Sequence, residues 1–392
     1  MRKSYCLPEG FYSAGIYGGL KKNNRPDMGL IYSEAGCNAA AFFTANRLKA
    51  HHIIYDKQLL GNKIRAVFAN SGNANVFNGA EGMRAVCDIA ASAATALEID
   101  RQSVLVSSTG KISLKMPVEK VIKAIPRLVS ALSPEDKMFP RAIMTTDLMP
   151  KFYTETVTLS GKKAVITGVA KGSGMINVHM ATMLAYVMTD ASVSRAMLWA
   201  AAKEALEVSF NRVTVDGDMS PNDSLFVLSN GLAGNREIRE KNADYRKLSA
   251  AFKRVFYGLA EDIAYDGEGA TKFIKIVVKG ASSARQADRV ARAIANSALV
   301  KTAFFGRSLN YGRIISAASS CGENVDPGKM ALKFNGVTVF SRQRPVNEEK
   351  LKKVMKQRRI EAELYLNLGR HETFILTADF SYDYVRINAD YT

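Results

Sequence analysis

Lys171–Asp190 reads KGSGMINVHMATMLAYVMTD. It opens on Gly172-Ser173-Gly174 and closes on the apolar run Met183–Met188, which suits a buried strand or the first turns of a buried helix. Between them, Thr182 follows Ala181 just ahead of the core segment. The local pattern leaves two readings of that threonine open. It is a β-branched filler where a turn enters a strand, or its hydroxyl is a nucleophile. A threonine hydroxyl is weak and needs a base within hydrogen-bond reach. Of His51, His52, His179 and His371, only His179 lies near it in sequence. No G-x-S-x-G elbow or Ser-His-Asp arrangement accompanies them. Cleavage of the Ala181–Thr182 bond would supply another base, the new α-amine of Thr182, whose unperturbed pKa is about 7.7–8.0. Lys171 would help hold that amine neutral by repulsion.

A nucleophile of this kind needs an oxyanion cradle. Upstream, the apolar strand Val104–Val106 runs into Ser107-Ser108-Thr109-Gly110. Backbone amides after a strand, with a glycine allowing close approach, suit an oxyanion; a capped helix start is the plainer reading. A second strand, Ile64–Ala69, runs into Asn70–Asn75 (NSGNAN), a polar cluster expected to form a shaped loop. Tyr153–Leu159 and Ala164–Val169 read as a hairpin turning at Gly161-Lys162 and delivering the chain to Lys171.

Elsewhere, residues 5–55 read as short strands with tight turns, strand-like over 29–32 and 39–44. Helical spacing covers 79–97, 117–132, 194–208, 245–262 and 283–296, and Asn310–Arg313 opens a further helix. Residues 212–215, 224–228 and 273–279 read as strands; 330–334, 337–340, 360–367 and 373–379 stand out as further segments, and 384–392 alternates apolar and polar. The carboxylate-rich stretch 211–223 lacks the spacing of a calcium loop and reads as strand and turn. Asp266–Thr271 is a second acidic turn, either a plain hairpin turn or one whose flanking glycines let a carboxylate approach a ligand.

The totals set bounds. A chain of 392 residues exceeds one compact core, so two or three subdomains are expected. With 47% apolar and 23% charged residues, extensive disorder is not expected. Cys6, Cys37, Cys87 and Cys321 form no CxxC pair, which argues against a zinc site or disulfide framework. No apolar leader and no membrane-spanning run is present, so a soluble, cytoplasmic protein is expected. The formal charge of +17 raises nucleic acid or anionic lipid as partners. Its densest basic tract, 342–359, also carries Glu348 and Glu349 and spaces Leu351, Val354 and Met355 as one helix face. It reads as a solvated helix, with no nucleic-acid motif beside it. Neither nucleic acid nor membrane is an expected partner, and no metal site is expected.

Taken in order, these motifs resemble the ornithine acetyltransferases (glutamate N-acetyltransferases) of arginine biosynthesis. The resemblance runs through Pro8–Phe11, Asn70–Asn75, Ser108–Gly110, Thr145–Asp147, Lys171–Met183, Thr214–Asp223 (TVDGDMSPND), Asp266–Lys272 (DGEGATK), Val300–Ala303 and Tyr382–Ala389. It implies an α/β fold, an α+β sandwich of the N-terminal-nucleophile type with smaller α/β subdomains. The precursor would cut itself between Ala181 and Thr182 into an α chain, 1–181, and a β chain, 182–392, interlocked and assembled as α2β2. Thr182 would carry acetyl from N-acetylornithine to glutamate. Thr109 and Gly110 resemble the family's oxyanion hole. Thr145, Lys171, Thr182, Glu268, Asn388 and Thr392 match its substrate-binding positions. No cofactor is implied; acetyl-CoA would be a substrate only in a bifunctional version.

Three features depart from that pattern. Val178-His179 stands where Pro-Asn is usual, close enough to Thr182 to bear on self-cleavage or on the pocket wall. Tyr311 replaces a tryptophan. An ending one residue shorter than usual would offset Thr392. Rival readings are a donor range including acetyl-CoA, an amidase-like side activity, and an uncleaved, non-enzymatic binding protein.

Overall fold

The computed structural model describes residues 4–22, 24–177, 183–341, 344–345 and 348–390. Two compact units result, each assembled from separated segments. Met1–Gly172, His179–Asn211 and Met219–Leu259 form the first; Ser173–Val178, Arg212–Asp218 and Ala260–Thr392 form the second.

The first unit begins with strands β1 (Phe11–Ile16) and β2 (Met28–Phe43), helix α1 (His51–Leu59), β3 (Ile64–Asn73), helix α2 (Gly79–Leu97) and β4 (Val104–Lys111). Helices α3 (Val118–Ser130) and α4 (Phe139–Ala142) precede strands β5 (Lys151–Leu159), β6 (Lys162–Lys171) and β7 (Leu184–Thr189). Helix α5 (Arg195–Glu207), strand β8 (Ser224–Ser229) and helix α6 (Ala243–Tyr265) complete it, α6 running on into the second unit. The strand order is β4-β3-β2-β8-β7-β6-β5, with β1 on β2.

Strand β2 governs this sheet. Its first half pairs with β3 through Met28–Tyr32, its register slips before Cys37, and its second half pairs with β8 through Asn38–Phe43. Residues 29–32 and 39–44, expected as separate strands, are therefore two ends of one bent strand. Buried apolar side chains pack on both faces. Phe68, Val86, Ile89, Val104, Val106 and Leu128 form one cluster; Phe11, Phe139, Val169, Tyr186 and Phe226 form another. At roughly 1.5–3 kcal/mol for each large apolar side chain buried, these clusters are the main stabilising term.

In the second unit, β9 (Phe273–Ala281) precedes helices α7 (Ala284–Asn296), α8 (Ala298–Phe305) and α9 (Gly312–Ser319). Strands β10 (Ala331–Phe334), β11 (Val337–Ser341) and β12 (Arg344–Pro345) lead to helix α10 (Glu348–Met355), then β13 (Arg359–Tyr365), β14 (His371–Ala378) and helix α11 (Tyr382–Ala389). The sheet runs β12-β11-β10-β13-β9-β14, with β13 parallel to β9. Helix α7 buries Ala287, Val290, Ala291, Ile294 and Ala295, one face at helical spacing, in the core with Ile276 and Ile375. Helix α10 buries Leu351, Val354 and Met355 and leaves its lysines exposed, the solvated basic helix expected.

Several local expectations fail for identifiable reasons. Within 5–55, read as short strands with tight turns, His51–Leu59 is helical. Strands β3 and β4 continue through their polar tips to Asn73 and Lys111, because parallel pairing satisfies the backbone there. Residues 212–215 form no strand: a 3₁₀ turn at Phe210–Arg212 leads to a single bridge, Val213 to Leu376. The alternation in 384–392 gives way to helix α11, capped by Ser381. Among the described residues, no helix is long and apolar enough to cross a membrane.

Candidate active site

The tips of β3 and β4 lie side by side, Ser71 opposite Thr109 and Gly72 opposite Gly110. Their buried polar groups bond to one another. Ser108 Oγ donates to Asn70 Oδ1 at 2.7 Å, Asn70 Nδ2 to Asn73 O at 2.9 Å, and Asn222 Nδ2 to Ser108 O at 2.7 Å and Ala74 O at 2.6 Å. Such a satisfied network holds its backbone rigid. Gly110 has φ +130°, and a Cβ there would stand 2.5 Å from the Gly72 carbonyl carbon and 2.6 Å from Asn73 N. Only glycine allows that approach. Thr109 is buried, and Lys171 Nζ donates to its Oγ1 at 3.2 Å.

Lys171 ends β6 beside a second buried cluster. Asp147 Oδ1 accepts from Lys151 Nζ at 2.6 Å and from Gly172 N at 2.7 Å; Oδ2 accepts from Thr145 N at 3.0 Å. Burial alone would raise the Asp147 pKa, but the Lys151 and Lys171 ammoniums hold it below the usual carboxylate range. The carboxylate therefore stays ionised and fastens the Thr145 loop to the end of β6. Asp147 appears in the sequence only within the Thr145–Asp147 motif, with nothing local to mark it as the junction.

The nucleophile candidate is approached from its downstream neighbour. Met183 N donates to Asp223 Oδ1 at 2.9 Å, and Ser224 N donates to Met183 O at 3.0 Å. The next residue, Leu184, pairs with Lys171 on one side and Ser224 on the other. Both polar backbone groups of Met183 are thus fixed where β6, β7 and β8 meet. Asp223 and Asn222, which close the Thr214–Asp223 motif and were given no individual role in the sequence, supply this clamp and the bond to Ser108. Ala181 and Thr182, Val178-His179 and Thr392 lie outside the described residues. His52, buried on α1, sits with Nε2 3.1 Å from Ser224 Oγ, and burial pushes its pKa down to about 3. It is a neutral brace for the start of β8.

The remaining candidates lie in the second unit. Glu268 is buried, its backbone N donates to Ser173 O at 2.8 Å, and Asn388 Nδ2 donates to its Oε2 at 2.9 Å. Gly174 packs against that carboxylate so closely that any Cβ would overlap it. Asn388 rides on α11, whose cap Ser381 donates from Oγ to Gly269 O at 2.6 Å. Asp216, from the 211–223 stretch, accepts from Met175 N at 2.5 Å and Ile176 N at 2.8 Å. Burial raises its pKa to about 6 against the pull of those amides. That stretch is a backbone anchor. The first unit thus brings together Thr109, Gly110, Thr145 and Lys171, and the second Glu268 and Asn388.

A family model described as the ArgJ family matches residues 12–392. The chain belongs to the ArgJ family. The arginine biosynthesis bifunctional protein ArgJ of Thermotoga neapolitana is 41% identical over 394 residues, spanning 98% of this chain and 99% of that one. The protein of the same name from Listeria monocytogenes is 39% identical over 395 residues, covering 100% of this chain and 99% of its own. The crystal structure of arginine biosynthesis bifunctional protein ArgJ from Bacillus halodurans superposes with a TM-score of 0.51 at 36% identity. It covers 53% of this chain and 99% of that one. ArgJ membership agrees with the mixed α/β sheets and with the motifs quoted from Asn70 to Ala389. In this ArgJ-family chain the Thr109–Gly110 tip, the Lys171 ammonium and the residue following Thr182 belong to one unit.

Proposed function

We propose that the chain is a self-processing glutamate N-acetyltransferase that moves acetyl from N2-acetyl-L-ornithine to L-glutamate through acetyl-Thr182. The observation that carries this reading is the clamp on Met183. It fixes the residue next to Thr182 at the strand end that Lys171, bonded to Thr109, also occupies. Self-cleavage between Ala181 and Thr182 gives the chains 1–181 and 182–392. The solved B. halodurans chain, nearly all of it covered, matches just over half of this sequence, as one of two separate chains would.

The reaction balances in two halves. Thr182 Oγ bonds to the acetyl carbonyl carbon while its proton passes to the Thr182 α-amine. The carbonyl oxygen takes the negative charge and is held by Thr109 and Gly110. Collapse breaks the amide C–N bond, and the proton goes to ornithine's departing α-amine. Glutamate's α-amine then attacks acetyl-Thr182, and Thr182 Oγ leaves with its proton restored. Lys171 disfavours protonation of the Thr182 amine, keeping it a base. Glu268, oriented by Asn388, takes the δ-ammonium of ornithine. Thr145 and Thr392 complete the substrate contacts, and α and β chains assemble as α2β2. The chemistry calls for no cofactor. A bifunctional version would also load the same threonine from acetyl-CoA.

Thr182→Ala is expected to leave one 42.8 kDa chain in denaturing mass analysis and to abolish transfer. Wild-type protein should give two fragments. Turnover surviving in the variant would overturn the mechanism. N-acetylglutamate formed from glutamate and acetyl-CoA alone would establish the second donor.

A further inference from the structure

We propose that Asp56, on α1, is a positioning residue for the acetyl transfer and holds the oxyanion strand β4 from its open edge; this rests on the acetyl-transfer reading above. Strand β4 is the last of its sheet, and among the described residues it pairs with β3 alone. An edge strand turns every second residue's N–H and C=O away from the sheet. Where that edge is buried, those groups need partners from elsewhere.

Asp56 supplies the first of them. Val106 N donates to Asp56 Oδ1 at 3.0 Å, and Ser108 O accepts from Asn222 Nδ2 at 2.7 Å. The outward backbone groups of β4 are therefore those of its even-numbered residues. The next residue in that row is Gly110, so an oxyanion bound there takes the third place on the same edge. Ser107, between the first two, is held from the face of the sheet, its Oγ 2.5 Å from Tyr186 Oη on β7. Without Asp56, the buried Val106 N–H loses its acceptor. A strand shift toward another acceptor would carry Thr109 and Gly110 with it.

The same helix face seats the other side of the site. His52 lies one turn before Asp56, and both are fully buried. Ser224 Oγ donates to Asn222 O at 3.0 Å, so His52 Nε2, 3.1 Å from that Oγ, is the donor between them. Helix α1 thus reaches the oxyanion strand through Asp56 and the 222–224 clamp through His52. Burial raises the Asp56 pKa well above the usual carboxylate range, against the pull of the Val106 amide. The group is then a neutral acid, with Oδ1 accepting and Oδ2 carrying the proton. Oδ2 and His52 Nδ1 are both buried without a hydrogen-bond partner among the described residues. The task at position 56 is to offer Val106 an acceptor, and it needs no charge.

The test compares Asp56→Asn, whose amide oxygen still accepts from Val106 N, with Asp56→Leu, which keeps the volume and removes the acceptor. Rates are taken per cleaved chain with N-acetylornithine and glutamate. Asp56→Asn should turn over within about twofold of wild type, while Asp56→Leu should lose about 10- to 100-fold in kcat, part of the cost of a misplaced oxyanion donor. KM for both substrates should stay within about twofold, since the loss falls on the transition state. If Asp56→Leu does not fold or stays uncut, Asp56→Ala takes its place with the same expectation. A lower urea midpoint with kcat unchanged would make Asp56 merely structural and overturn the assignment. An equal loss in Asp56→Asn would mean that charge rather than the hydrogen bond matters, and would overturn it too. Wild type that makes no N-acetylglutamate would instead overturn the acetyl-transfer reading.

Discussion

A methyl group at position 110 would meet the Gly72 carbonyl carbon at 2.5 Å, and the backbone there holds φ at +130°. Gly110→Ala must shift the strand tip on which the oxyanion would rest. The expected loss is about 10²–10³-fold in kcat, the cost of one misplaced oxyanion donor, read by steady-state kinetics with N-acetylornithine. An unchanged kcat would remove Gly110 from the oxyanion hole. Gly174 tests the other candidate cluster. Alanine there would displace the Glu268 carboxylate. KM for N-acetylornithine should rise about 10-fold or more as a charge-assisted bond weakens, whereas KM for glutamate should move less. Equal shifts for both substrates would argue against Glu268 as the ammonium partner. The glycines themselves were visible in the motifs. What each glycine approaches was not, because Gly110 meets Gly72 across a strand pair and Gly174 meets Glu268 across 94 positions of chain.

Helix α8 shows how an element unrecognised in the sequence sets the frame. Its Lys301 is fully buried and donates to Thr377 Oγ1 at 2.5 Å and Ala378 O at 2.6 Å, with the Phe380 ring 4.8 Å from Nζ. It fixes the end of β14, just ahead of the helix that carries Asn388. Burial lowers its pKa from 10.5 to about 7, against the pull of Asp216 and Asp379. Between those two values the unfolded chain binds more protons at this group than the native one, so this contribution to stability rises with pH. The urea midpoint of wild type should therefore gain on that of Lys301→Met from pH 7 to 10.5. A gap independent of pH would mean that the ammonium stays charged throughout. The amphipathic helices α2 and α7 were legible because each buries one face at regular spacing. Helix α1 was not, since it buries polar His52 and Asp56 beside Ile53 and Tyr55 and carries no apolar stripe at helical spacing.

Across the whole molecule, cleavage before Thr182 would cut one sheet between adjacent strands. Ile166–Lys171 pairs with Leu184–Thr189, and Asn38–Phe43 pairs with Ser224–Ser229. Phe11, Phe139 and Val169 on one side of the cut share a core with Tyr186 and Phe226 on the other. The two fragments should co-elute in native size exclusion and separate only in denaturant. Fragments that part without denaturant would mean that this pairing is not what joins them.

By itself, the sequence determined the motif order, the strand and helix periods of most core elements, and the candidate residues Thr109, Gly110, Thr145, Lys171, Glu268 and Asn388. The periods rest on local composition and spacing, which a linear chain displays, whereas Thr145, Glu268, Asn388 and the substrate role of Lys171 came only from the resemblance of their motifs to the ornithine acetyltransferases. Tertiary structure alone decided that β2 bends to serve both halves of a sheet, that Asp147 ties the Thr145 loop to β6, and that Asp223 clamps Met183. It also placed Asp56 against the open edge of β4. Each is a contact between residues far apart in the chain, fixed by packing and by buried polar groups that must find partners.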